Sequence, residues 1–311
     1  MRTKCLAFAV STGLLALGVA SSAAASPYSP PQVSVGGTVS SPAAYTLSEL
    51  QALPQTTFTV TRHTWWGTVT QTDVGVSLET IVDDSSPIIP SSKNSFLRVV
   101  VTVAGAWSTQ RTFALGELDS SFGDHPAYLT LEAGGRPLFA PELVVPGDIN
   151  DARSVPDVHE IEVGVENPAS TTPPESGALT VQDGAYTTVL SPAELASLPQ
   201  QTLTVSFAGS SGEQTHTETG PTLDAVLRAA RIWPTFNTWV AAVGSDDYVA
   251  TATPAEAWVG GRPLLISLVE DGAPLAMPRL ITDGDIKGGR YDDDLTNLVV
   301  GGSLLPPPWG W

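Results

Sequence analysis

The feature that most constrains this chain is an ordered internal echo. Glu49-Leu50, Leu53-Pro54-Gln55, Phe58 and Val60 return as Glu194-Leu195, Leu198-Pro199-Gln200, Leu203 and Val205 at a constant offset of 145, and Gly75-Val76-Ser77-Leu78 returns as Gly220-Pro221-Thr222-Leu223. Farther on, Gly135-Arg136-Pro137-Leu138 and Gly147-Asp148-Ile149 with Arg153 return at an offset of 137, as Gly272-Ala273-Pro274-Leu275 and Gly284-Asp285-Ile286 with Arg290. The drift of eight residues places a net deletion in the loops of the second copy. Matches kept in one order over a long unit imply a tandem duplication.

Local signals describe what is repeated. Tyr45 to Pro54 reads as a short helix: Thr46 or Ser48 can cap it, Glu49 sits at its positive end, Leu47, Leu50 and Leu53 share a face, and Pro54 stops it. Thr57 to Thr61 alternates as a strand, and Gly75 to Leu78 reads as a turn into a helix through Ile81 and Val82. Leu97 to Val103 is the β-branched run of a strand buried on both faces. Gly134-Gly135 between Tyr128–Leu131 and Pro137-Leu138 marks a hairpin, and Val158 to Val165 closes the unit as a strand. The 28 Gly and 26 Pro fit short strands and many turns rather than long helices. The expected fold is therefore α+β and β-rich, with two tandem units.

The N-terminus carries a different signal. Arg2 and Lys4 precede an apolar run from Leu6 to Ala20, which ends in Ser21-Ser22-Ala23-Ala24-Ala25. This reads as a Sec-type signal peptide cleaved after Ala25, so a secreted protein is expected. The expected organisation is residues 1–25 as signal peptide, 26–31 as tether, 32–167 as first domain, 168–177 as linker, 178–302 as second domain and 303–311 as a Pro/Trp tail. Cys5 is the sole cysteine and lies before the apolar run, so the mature chain has no thiol. That rules out disulfides, cysteine-bound zinc and a cysteine nucleophile. Loss of Arg2 and Lys4 takes the formal charge from -18 to -20 and leaves 12 of the 14 Lys and Arg. So acidic a chain is not expected to bind nucleic acid or anionic lipid, which require cationic side chains against phosphate. No later stretch reads as a membrane span.

The ordered motifs resemble the oxidoreductase molybdopterin-binding domain, the fold of sulfite oxidases and of periplasmic methionine sulfoxide reductase catalytic subunits. The second copy carries the fuller set: Val243 to Tyr248, Leu268 to Leu275, and Arg279 to Tyr291. The first keeps Gly75 to Leu78, Gly135 to Leu138 and Gly147 to Ile149. The resemblance implies a pterin-held molybdenum ligated by one cysteine, with basic residues on the cofactor phosphate. Counting back from the Gly-Val-Ser-Leu turn puts that cysteine near Arg62 to Trp66, nearest His63, and in the second copy near Ala208; neither place holds Cys. The Arg2-Thr3-Lys4 start is also not the twin-arginine signal used to export folded, cofactor-loaded proteins.

The candidate site residues are Arg62, His63, Trp65 and Trp66, joined by Arg153 and Arg290 of the Gly-Asp turns. Tryptophan faces could stack a planar or sugar ligand that Arg62 or His63 orients. Against this, neighbours on a strand point to opposite faces, so the cluster equally fits packing. Asp148 with Arg153, and Asp285 with Arg290, read as ion-paired turns. Asp292-Asp293-Asp294 reads as a solvated acidic run, calcium being the alternative. His125, His159 and His216 lack zinc spacing. The expectation is a non-catalytic, molybdopterin-binding-domain-like secreted protein for an extracellular ligand or structural partner, without cofactor or metal. A molybdopterin oxidoreductase lacking the Cys ligand is the alternative, and a hydrolase on the same scaffold is a second one.

Overall fold

A computed structural model describes residues 32–64, 67–210 and 212–302. The signal-peptide and tether readings, Trp65, Trp66 and the Pro/Trp tail lie outside the described residues. The first half of the chain forms two sheets. One runs β2 (Ala43–Thr46), β1 (Gln32–Gly37), β9 (Glu160–Val165), β5 (Val99–Ala104), β6 (Gln110–Ala114). The other runs β3 (Thr56–Thr64), β4 (Gly67–Ser77), β7 (Tyr128–Ala133), β8 (Arg136–Val144). The second half forms β11 (Tyr186–Leu190), β10 (Leu179–Asp183), β18 (Leu295–Gly301), β14 (Trp239–Gly244), β15 (Val249–Ala252), and β12 (Gln200–Gly209), β13 (Gly212–Pro221), β16 (Leu264–Glu270), β17 (Ala273–Thr282). Each five-stranded sheet has one parallel pairing, β1 with β9 and β10 with β18.

The local chemistry explains the elements. Helix α1 (Leu47–Ala52) starts at a capping box, with Thr46 accepting from the Glu49 N–H and Glu49 accepting from the Thr46 N–H. Gly75 to Ser77 is not a free turn as expected but the end of β4, and Ser77 then caps α2 (Leu78–Ser85). Gly75 is required because a Cβ there would meet the Leu129 carbonyl oxygen at 2.3 Å; Gly220 has the same relation to Ile266 at 2.0 Å. Apolar residues of β5, β9 and α2 fill the first core, and β14, β18 and α5 (Leu223–Ala229) fill the second.

The expectation of two tandem molybdopterin-binding-domain-like units needs correction. The β-rich α+β character stands, but the described residues pack as one compact body of four sheets. The ties are reciprocal: the Ile149 N–H donates to the Val259 carbonyl (2.9 Å), and the Ile286 N–H to the Phe122 carbonyl (2.8 Å). Thr112 of β6 donates its N–H to Phe236, and the Thr251 hydroxyl of β15 donates to Leu97. β6 and β15 are edge strands, and at β6 the second half covers an N–H that would otherwise be an open edge group. A repeat period reports strand order but not which edges are buried. The segment expected as an extended linker has neither helix nor strand, but it is held down: the Ser170 N–H donates to Asp247 Oδ1 (2.7 Å) and the Thr171 N–H to Asn297 Oδ1 (3.0 Å).

Candidate functional site

The two Gly-Asp turns bury their arginines. Arg153 is fully buried and grips Asp148 through Nε and Nη2, both at 2.7 Å, while Nη1 lies 2.6 Å from Glu117 Oε1 of α3 (Leu115–Leu118). Arg290 is also fully buried: it grips Asp285 at 2.8 and 2.6 Å and donates from Nη1 to Glu256 Oε2 of α6 (Pro254–Trp258) at 2.8 Å. A third partner completes each aspartate, His125 for Asp148 (3.1 Å) and Arg262 for Asp285 (2.6 Å). Burial opposes charge on both guanidiniums, yet Glu117 and Asp148, and Asp285 and Glu256, outweigh it and hold both above the ordinary arginine range. Glu117 differs from its counterpart. Its contact with Arg153 has no hydrogen-bond geometry, and burial, with Glu256 nearby, pushes its carboxyl up to about 7 against the pull of Arg153 and His125.

Of the predicted cluster, Arg62 is an ion-paired strand residue that donates to Asp73 (2.8 Å) and Glu142 (2.6 Å). His63 is exposed, and its backbone N–H donates to Asp151 Oδ2 (2.8 Å). Arg153 and Arg290 are brought together around Glu117 and Glu256, while Arg62 belongs to a separate cluster. None of these four side chains lines the main cavity.

That cavity, of about 910 Å³, lies at the counterpart of the Arg62 hairpin, where the second half puts Phe207 and Ala208. The end of β12, the Ser245–Tyr248 loop and the Lys287–Asp294 segment form its walls, and Lys93, Asn94, Phe96, Asp119 and Phe122 of the first half close it. Phe207 packs on Tyr291 with ring centroids 4.3 Å apart, and Gly288 is needed beneath it, since a Cβ there would meet the Phe207 ring at 2.5 Å. The Tyr248 hydroxyl donates to the Gly289 carbonyl (2.6 Å) and accepts from Asn94 (3.1 Å), joining walls from both halves. The lining carries five aspartates against Lys93 and Lys287, and Lys287 Nζ lies 5.7 Å from the Phe122 ring centroid.

The acidic run is not uniformly solvated as expected. Asp293 and Asp294 are exposed, but Asp292 is 2% exposed. Burial first, then Asp246, Asp293 and Asp294, push its carboxyl up to about 9 in spite of Arg98. The offset count was the one sequence signal for this site, because it paired Ala208 with His63. Its walls come from segments far apart in the chain. Among the described residues no group of three or more His, Cys, Asp or Glu is disposed to hold a metal ion.

These residues do not fit a cysteine-ligated molybdopterin. Ala208 stands where the count places the thiolate and donates its N–H to the Ile286 carbonyl (2.8 Å), and the buried arginines of both turns are committed to carboxylates. An anionic pterin phosphate would face mostly aspartate.

No family model matches the chain, and no curated protein matches it. Among solved structures it is similar to the sulfane dehydrogenase SoxCD from Paracoccus pantotrophus, at 16% identity and a TM-score of 0.35. The similarity covers 83% of this chain and 63% of that one, and at this level it carries no argument about fold or activity.

Proposed function

We propose that this protein is an exported, non-catalytic binding protein whose ligand is a small molecule bearing positive charge, held in the 910 Å³ cavity. The observation that carries the reading is the lining: four aspartates besides the proton-holding Asp292, and the aromatic rings of Phe96, Phe122, Phe207, Tyr248 and Tyr291, around a space of small-molecule size. Carboxylates attract a cation, and aromatic faces add a favourable quadrupole contact. The same lining gives an anion little to bind.

Calorimetric titration of the chain from Ser26 onward with choline, arginine and putrescine, against succinate and inorganic phosphate, tests this. Binding of at least one cationic probe, lost in Phe207→Ala, is expected. Binding confined to the anions, or to none of the five, would overturn it. Protein recovered from a host that makes molybdenum cofactor should be free of molybdenum, and a stoichiometric amount would replace this reading with an oxidoreductase one.

A further inference from the structure

We infer that one wall of this cavity is a calcium-type divalent cation site, built from the Asp246 and Asp292 carboxylates and the Asp293 backbone carbonyl. Three oxygens crowd one side of Gly244. A methyl group on Gly244 would lie 2.9 Å from Asp292 Oδ1, 3.0 Å from the Asp293 carbonyl oxygen and 3.1 Å from Asp246 Oδ1. The loop carrying Asp246 is pinned to the acidic run, since the Ser245 N–H donates to the Asp294 carbonyl (3.0 Å).

A second observation points to a ligand. Asp292 is 2% exposed, and its Oδ2 is buried without any hydrogen-bond partner. A buried carboxylate oxygen ordinarily has a donor, because desolvation is otherwise uncompensated. The other charges around it are committed: Arg98 donates to Asn167 Oδ1 (2.7 Å) and the Asp247 carbonyl (2.8 Å), and the Asp293 side chain pairs with Arg279. At the 137-residue offset the first half has Val155, a core residue, so the second half bears a carboxylate where an apolar side chain would pack.

The donor set is all oxygen and irregular. That suits calcium, which accepts ligands at roughly 2.3–2.6 Å in flexible geometry and completes its shell with water, better than magnesium, which demands a tight octahedron. The three oxygens all lie within 3.1 Å of one point on the Gly244 side, close enough together to share one ion, and the open cavity supplies water. Calcium would bind here whether or not the cavity holds an organic ligand.

The test is calorimetric titration of the chelated protein with calcium chloride alone, with thermal unfolding in calcium chloride against sodium chloride of equal ionic strength. One calcium per chain is expected, with a raised Tm and at least tenfold weaker binding of magnesium. Asp246→Asn and Asp292→Asn should each weaken calcium binding at least tenfold. Gly244→Ala should do the same with every carboxylate kept, since its methyl group fills the space between the oxygens. Absence of binding heat in the parent chain, or a response retained in both Asp246→Asn and Asp292→Asn, would overturn the inference. Asp246 is exposed, so its variant stays informative if Asp292→Asn does not fold. Because no organic probe is present, failure here leaves the ligand reading standing, and failure of the probes leaves the cation site standing.

Discussion

The two Asp-Arg turns occupy equivalent places and share a bidentate grip, yet they are finished differently. At the second, every charge has a hydrogen-bonded partner: Glu256 accepts from Arg290 and from the Thr253 N–H, and Asp285 adds Arg262, a permanent cation. At the first, Glu117 has an ion-pair contact but no donor, and the third partner of Asp148 is His125, charged only when protonated. The difference begins in the helices. Glu256 sits in the first turn of α6 and accepts from the Thr253 N–H, whereas Glu117 in the first turn of α3 accepts from no N–H. One geometry thus supports two electrostatic regimes, a saturated one and one that responds to protons.

Removing the arginines should break the comparison most strongly. Arg153→Met and Arg290→Met each leave two buried carboxylates short of a counter-charge, and each should cost about 3–5 kcal/mol in urea unfolding. The Arg153 variant should lose more at pH 8, since Glu117 then has no partner, and the gap should narrow at pH 5 as Glu117 takes a proton. Equal losses at both pH values would contradict the distinction.

A second pair of clusters sharpens it. Buried Asp73 and Glu218 correspond at the 145-residue offset, but Arg62 serves the first from β3 while Arg279 serves the second from β17. Where one half has Arg62 the other has Phe207, and where one has Glu142 the other has Arg279. Asp73 also accepts from Gln71 (2.7 Å) and the Gly134 N–H (3.0 Å), whereas Glu218 keeps the Ser267 hydroxyl (2.6 Å) beside a second carboxylate, Glu270. Arg279→Met should therefore destabilise by about 3 kcal/mol and Arg62→Met by about 2 kcal/mol. The reverse order in thermal unfolding would show that the backbone donor at Asp73 counts for little.

Proton linkage gives a smaller effect. The carboxyl of Glu117 lies at about 7 in the fold against an ordinary 4.5. Between those values the folded chain holds a proton that the unfolded chain has released, so this contribution is full below pH 4.5 and is lost as pH rises through 7. Glu117→Gln should flatten that loss by about 2 kcal/mol between pH 5 and pH 8, measured by urea unfolding. Asp148 works in the other direction. Its carboxyl lies below the ordinary 3.8, so its contribution is lost only in stronger acid.

Smallest should be the caps, where the halves are alike. Thr46→Ala and Ser191→Ala each remove a capping box with the same reciprocal bonds, and each should cost about 1 kcal/mol in thermal unfolding. Unequal costs would show that α1 and α4 (Pro192–Ser197) are not held alike.

The strand order was largely legible in the sequence, because alternation, capping residues and the Gly-Gly hairpin are local signals. The site was less so. Arg62 and His63 stand out as residues, but adjacent strand positions face apart: Arg62 spends its guanidinium on Asp73 and Glu142, and His63 donates only its backbone N–H, to Asp151. The cavity uses Phe207, Tyr248 and Lys287, each unremarkable in its own stretch.

By itself the sequence determined the repeated order of elements, the two Asp-Arg turns, the absence of a thiol after Cys5 and the strong negative charge, since each is a matter of residue type and spacing. The tertiary structure decided that the halves share one body, that the turn arginines are buried counter-charges, and that Asp292 of an apparently solvated run is buried. Burial and partnership depend on which surfaces meet, and sequence spacing does not report that across contacts of a hundred residues or more.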